Sequence, residues 1–157
     1  MKRLLLYVHF NKYDHISRHV FFQLEHMRPL FDKLVFISNS RLSESEVQKL
    51  RDKHLIDDFI QRENKGYDFA AWHDGMEFVG FDNLKQYDSV TVMNDTCFGP
   101  LWDMAPIYDK YESNPNVDFW GMTNHQGIKA GDIYIHEHLQ SYFISFKKRL
   151  VESSVFQ

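Results

Sequence analysis

The chain has 157 residues, of which 43% are apolar, with a net charge of −4 and a single cysteine. That length suits one domain, residues 1–157, with enough apolar content for a full core. The acidic balance excludes a nucleic-acid binder, which needs a basic face for phosphates; one cysteine excludes an intrachain disulfide and fits a reducing compartment.

Met1 to Val8 begins like a secretory leader, but the apolar run stops at His9 and no small-residue cleavage site follows. The expectation is therefore a strand over Leu4–Phe10, apolar nearly throughout because both faces of a parallel sheet are covered. No stretch approaches bilayer length, so a cytoplasmic protein is expected, with peripheral contact at the inner face of the cell membrane left open. After the polar stretch Asn11–Asp14, the spacing of Val20, Phe21, Leu24 and Met27 predicts a helix over 17–28, ended by Pro29. A second strand, Leu34–Ser38, closes in Asn39-Ser40. Leu42–Leu50 reads as a helix with Ser43 as N-cap and Glu46 at the capping-box position.

A short strand at Asp58–Gln61, a helix at Tyr67–Phe78 and a strand at Ser89–Met93 complete a β-α-β-α-β-α-β alternation. This pattern predicts an α/β, Rossmann-like, mostly parallel sheet with helices on both faces. The remainder is less regular. Trp102–Tyr111 reads as a helix interrupted near Pro106, Asp118–Thr123 as a strand, and Asn124–Gly131 as a polar, mobile loop. Gln140–Phe146 reads as a strand, and Lys147–Val155 as a terminal helix whose Lys147-Lys148-Arg149 run is solvated or touches an anionic membrane surface.

Two segments carry the chemistry. Glu63-Asn-Lys-Gly-Tyr-Asp-Phe-Ala-Ala-Trp72 is a polar, glycine-broken turn running into a helix. Val90-Thr-Val-Met-Asn-Asp-Thr96 is a β-branched strand that ends abruptly in polar residues. Open α/β sheets place ligands at the C-terminal ends of their strands, so Asp95 is the leading site residue, and Asn94 beside it offers an amide to sugar hydroxyls or a metal. Gly66 permits close backbone approach, and the helix start at Tyr67 offers free N–H groups to an anion. Asp68 suits a sugar or ribose hydroxyl rather than phosphate. Together these residues point to a phosphorylated ligand, a nucleotide-sugar foremost.

Cys97 has no partner motif and reads as a packing residue. Trp72, Trp102 and Trp120 could stack on a sugar or base, yet each lies in a segment that should pack; Trp120, just before Gly121, is the best placed for stacking. His136 and His138 share a face if extended, a metal-pair spacing that lacks a third ligand.

Four stretches then carry a resemblance: Glu63-Asn64 with Gly66–Trp72, Met93–Thr96 with Gly99-Pro100, Asp118–Thr123, and His138–Phe143. In these the chain resembles the rhamnan synthesis protein F family of bacterial cell-wall polysaccharide glycosyltransferases. More distantly its layout is similar to GT-A-type glycosyltransferases. There Asn11 would lie at the base-binding edge, Asn39 in the turn after strand two, and Asn64 with Gly66 in the segment that cradles the donor. Gln140 matches the family's fourth stretch and would face the donor cleft.

The resemblance implies transfer of rhamnose or a related sugar from a nucleoside-diphosphate donor to a polysaccharide or lipid-linked glycan acceptor, with inversion, in surface polysaccharide or lipopolysaccharide synthesis. By analogy Glu137 or Asp132 would take the acceptor proton. The GT-A metal motif, Asp-x-Asp, is altered: Asn94 and Thr96 stand at the aspartate positions and only Asp95 keeps a carboxylate. Mg²⁺ or Mn²⁺ would therefore rest on Asp95, bind through the diphosphate with few protein ligands, or be dispensed with. That departure and the short length favour a second reading, a non-catalytic module that binds sugar or nucleotide or assists assembly. A third, a metal-dependent hydrolase, wants a carboxylate at the end of strand one, where His9 and Asn11 stand.

Overall fold

In the computed structural model, which describes residues 1–156, the apolar run at the N-terminus forms β1, Arg3–His9. Leu4 through Val8 are all at most 1% exposed, because alternate side chains enter two different cores. The helix α1, Arg18–Met27, passes into a 3₁₀ turn at Arg28–Leu30 that contains Pro29. β2 spans Lys33–Ser38 and α2 spans Glu44–Asp52. At the start of α2, the Glu46 N–H is held by Ser43 as expected, but the Glu46 carboxylate accepts from Ile16 N–H at 2.8 Å. It thus ties the loop after β1 to α2 instead of closing a capping box.

β3 (Asp58–Gln61), α3 (Tyr67–Val79) and β4 (Ser89–Asn94) follow in the predicted places, with a short helix not expected from the sequence, α4 (Phe81–Leu84), between the last two. Then come α5 (Ala105–Glu112) and β5 (Phe119–Gly121). Pro106 sits in the first turn of α5, where a missing N–H costs nothing, so the helix starts at Ala105 and Trp102 lies outside it.

The principal sheet has the order β3-β2-β1-β4, parallel throughout. A late strand, Phe143–Lys147, runs antiparallel to both β4 and β5 and lies between them. One face is covered by α1, α2 and α5, whose core includes Tyr7, Leu24, Phe36, Leu50, Tyr108 and Trp120. The other holds Leu6, Ile37, Ala71, Trp72 and Val90 under α3. Gly75 of α3 packs so closely that an added Cβ would lie 2.5 Å from Ile37 Cδ1.

Between β5 and the late strand, the segment expected as a mobile loop is paired structure. β6 (Asn124–His125) pairs with β9 (His138–Leu139), and β7 (Ile128–Ala130) with β8 (Ile133–Ile135), making the late strand β10. Gly131, at φ +61°, occupies the first of the two turn positions between β7 and β8, as mirror-image hairpin turns require. The terminal helix, α6, is confined to Lys148–Val151 because β10 extends through Lys147. No helix among the described residues is long and apolar enough to cross a membrane.

Candidate donor site

The parallel strands β1, β2 and β4 end together, and the polar residues that terminate them converge. A cleft of about 470 Å³ there is lined by Asn11, Asn39, Asn64, Tyr67, Asp68 and Asp95, with Phe10, Ser17, His19 and Thr96 completing it. Of the expected donor residues, Asn11, Asn39, Asn64, Asp68 and Asp95 are thus brought together. Asn94 lies beneath them, donating its amide to Asp68 Oδ2 at 2.7 Å and accepting from Thr96 N–H at 3.1 Å.

Gly66 introduces α3 at φ +71°, and an added Cβ would lie 2.6 Å from Ala70 Cβ. Tyr67 also holds a positive φ, +51°. Consecutive left-handed residues at a helix start are strained for a tyrosine. Tyr67 and Asp68, in the first turn of α3, line the cleft, and the N–H groups of a first helical turn have no intrahelical acceptors.

Asp95 is mostly buried. Its Oδ2 accepts from Phe10 N–H at 3.1 Å, and its backbone carbonyl accepts from His19 Nε2 at 3.0 Å. Burial raises its pKa from 3.8 to about 6, opposed by the Phe10 hydrogen bond and by His19, and reinforced by the Asp68 charge. His9, at the end of β1, is fully buried, stacks on Phe36 and contacts Ser38 Oγ through Nδ1 at 3.1 Å. Desolvation lowers its pKa from 6.5 to about 4. It is therefore neutral at pH 7, and its 4.0 Å approach to Asp95 is not an ion pair.

A second recess of about 610 Å³ shares Asn39 and Asn64 with the first and continues over the end of β3, where Arg41 and Arg62 line it. Arg62 is held at three points: Asp74 Oδ2 at 2.5 Å, Asn39 Oδ1 at 2.7 Å and the Lys65 carbonyl at 2.8 Å. It joins β3, the turn after β2 and the loop before α3. The sequence reading missed Arg62 and His19. Arg62 immediately follows a strand end, the same signal that identified Asp95.

Other expected site residues stand elsewhere. Trp120 is 4% exposed and packed between Tyr108 and Tyr111, because β5 is covered by α5; it is a core residue. Trp72 is buried as well. Gln140 does not line the cleft: it accepts from Thr123 Oγ1 at 2.6 Å across the base of the ribbon. Glu137 accepts from Asn124 on that ribbon, and Asp132 lies exposed in its distal turn. The pairing of β6 with β9 and β7 with β8 sets both carboxylates on the ribbon, and neither is among the residues that line the cleft. Beyond Asp95, an apolar pocket of about 340 Å³ opens between the 97–102 segment and the base of the ribbon. Trp102, Phe98 and Leu101 are exposed at it, and Cys97 contributes to its wall.

The Asp68 and Asp95 carboxylates with the Asn94 carbonyl are hard oxygen donors of the kind Mg²⁺ or Mn²⁺ takes. The raised pKa of Asp95 comes chiefly from its burial, with the Asp68 charge adding to it. The donor set fits such an ion.

A mostly parallel sheet with one antiparallel strand inserted, helices on both faces and a polar cleft over the strand ends make this an α/β Rossmann-like fold of the GT-A type. Among solved structures, a mannosyltransferase from Pyrobaculum calidifontis in complex with GDP-Man and Mn²⁺ superposes with TM-score 0.61 at 13% identity, covering 95% of this chain and 45% of that one. HddC from Yersinia pseudotuberculosis gives 0.52 at 9% identity, over 97% and 79% of the two chains.

Residues 34–157 match the family described as rhamnan synthesis protein F, and the chain belongs to that family. Two curated proteins are each 30% identical to it. One is the uncharacterized protein y4gN of Sinorhizobium fredii, matched over 87% of this chain and 34% of its own length. The other is the virulence protein VirA of Vibrio anguillarum, matched over 78% and 34%. The chain therefore spans about a third of the length of these relatives.

Proposed function

We propose that this chain is the donor-binding domain of a glycosyltransferase that moves rhamnose or a related sugar from a nucleoside diphosphate to a growing surface glycan. The observation that carries the proposal is the cleft itself, which joins Asp68, Asp95 and the Gly66-Tyr67 start of α3 at the ends of β1 and β4. The nucleoside would lie over β2 and β3, with Asn39 held by Arg62. Free N–H groups at the start of α3 would receive the diphosphate.

Two carboxylates facing a diphosphate repel it unless a cation intervenes, so Asp68, Asp95 and Asn94 would hold Mg²⁺ or Mn²⁺. That ion, when bound, neutralises charge developing on the departing diphosphate. His19 positions Asp95 through its backbone carbonyl, and neutral His9 backs it without adding charge. Asp68 and Asp95 belong to the phosphate side, and no other carboxylate lines the cleft among the described residues. The apolar pocket beyond Asp95 suits the acceptor, whose sugar face would stack on Trp102 or Phe98. The proposal gives Glu137 and Asp132 no proton transfer, because they stand on the ribbon.

The test is thermal stability titrated with GDP, UDP and dTDP, each with and without Mn²⁺. One nucleotide should raise the melting temperature in a Mn²⁺-dependent way, and Asp95→Ala should abolish the effect. No response to any nucleotide would favour a non-catalytic assembly module.

A further inference from the structure

Outside the cleft, the ribbon between β5 and β10 brings two imidazoles into register. His125 and His138 are direct partners across β6 and β9. Their rings lie face to face, with centroids 4.9 Å apart and planes 16° from parallel. His138 Nδ1–H donates to the His136 backbone carbonyl at 2.8 Å. In the neutral ring that bond leaves the lone pair on Nε2, the arrangement in which ligating histidines are held. His125 Nδ1 is buried with no hydrogen-bond partner, a costly state unless something outside the chain completes the ring's surroundings.

We propose that His125 and His138 form a two-imidazole site for a late first-row divalent cation, namely Zn²⁺, Ni²⁺ or Cu²⁺. Directly opposed residues in an antiparallel pair have Cβ atoms roughly 4.5–5.5 Å apart. Stacked rings hold their lone pairs in parallel planes, so both rings tilt about χ2, out of the stack, to bring two imidazole nitrogens to one ion at about 2.0–2.1 Å each. Imidazole suits these ions, whereas Mg²⁺ and Mn²⁺ prefer the oxygen donors of the cleft, so the two sites select different metals. His136 stands apart, edge-on to Tyr134, and Glu137 is engaged by Asn124; water fills the remaining coordination positions. The bound ion cross-links the two arms of the ribbon.

Calorimetric titration with ZnCl₂, NiCl₂ and CuCl₂ alone tests the site. One ion should bind per chain, with Cu²⁺ tightest. His125→Ala and His138→Ala should each weaken binding at least about tenfold, since even an outer-shell partner of a ligand is worth that much. His136→Ala should not, and neither should His73→Ala, which alters the surface trio His73, Asp74 and Glu77. Melting temperatures in EDTA verify that each variant is folded. The Cu²⁺ complex should show two nitrogen ligands by electron paramagnetic resonance. Absence of binding, binding that survives loss of either cross-strand histidine, or binding lost with His73 would overturn the proposal.

Discussion

Asp95→Asn should stabilise the ligand-free protein at neutral pH. Moving a carboxyl from 3.8 to about 6 costs its ionised form about 3 kcal/mol at pH 7. The Asp95 side chain retains 15% exposure, and a modest discount for solvent leaves about 2–3 kcal/mol. Because the folded pKa lies above the unfolded one, the folded state binds the proton more tightly. Its stabilising contribution is complete below pH 3.8 and is lost as pH rises through about 6.

The amide oxygen of asparagine keeps the acceptor for Phe10 N–H. The variant should therefore exceed the wild type by the full amount near pH 7, with the gap closing toward pH 4. Protonation of His9 destabilises both proteins on acidification, from its unfolded 6.5 down to about 4, and largely cancels in the comparison. Urea denaturation at several pH values between 4 and 8 reads the difference directly. A variant no more stable than wild type at pH 7, or a gap independent of pH, would refute the view that Asp95 is a destabilised, functionally poised carboxylate. The same variant should lose the Mn²⁺-dependent nucleotide response, trading function for stability.

Tyr67→Gly should relieve the left-handed strain at φ +51°, worth about 1–2 kcal/mol, less about 0.5–1 kcal/mol of added chain entropy. The net is a small gain in melting temperature with weaker nucleotide binding, and a loss of stability would contradict it. Gly66→Ala should cost roughly 1–2 kcal/mol from the left-handed backbone, plus the contact with Ala70, measurable by urea midpoint. Arg62→Ala should weaken nucleotide binding about tenfold, roughly one charged hydrogen bond's worth, by freeing Asn39; the thermal shift with the responding nucleotide reports it. Glu112 holds Arg3 Nε and Ser89 Oγ at 2.7–3.0 Å in a buried position, so Glu112→Ala should cost about 3–5 kcal/mol without changing nucleotide preference.

The sequence by itself determined the parallel half of the sheet. Continuous apolar runs at 4–8, 34–37 and 90–93 admit burial on both faces only, and the helical periods between them force parallel crossovers. It also determined that polar strand ends meet, which is why Asn11, Asn39, Asp68 and Asp95 were legible as one site. The hairpin at 128–135 is not legible in the sequence: 124–131 reads as a polar loop, because its strands are only three residues long and show no sustained alternation.

Tertiary structure alone decided the rest. Only the covering of β5 by α5 makes Trp120 core, because a tryptophan's burial depends on what packs over its strand. Only long-range pairing sets β10 antiparallel between β4 and β5, draws Glu137 and Asp132 onto the ribbon, and opposes His125 to His138 rather than His136. Those contacts join residues distant in sequence, and no local period or spacing encodes them.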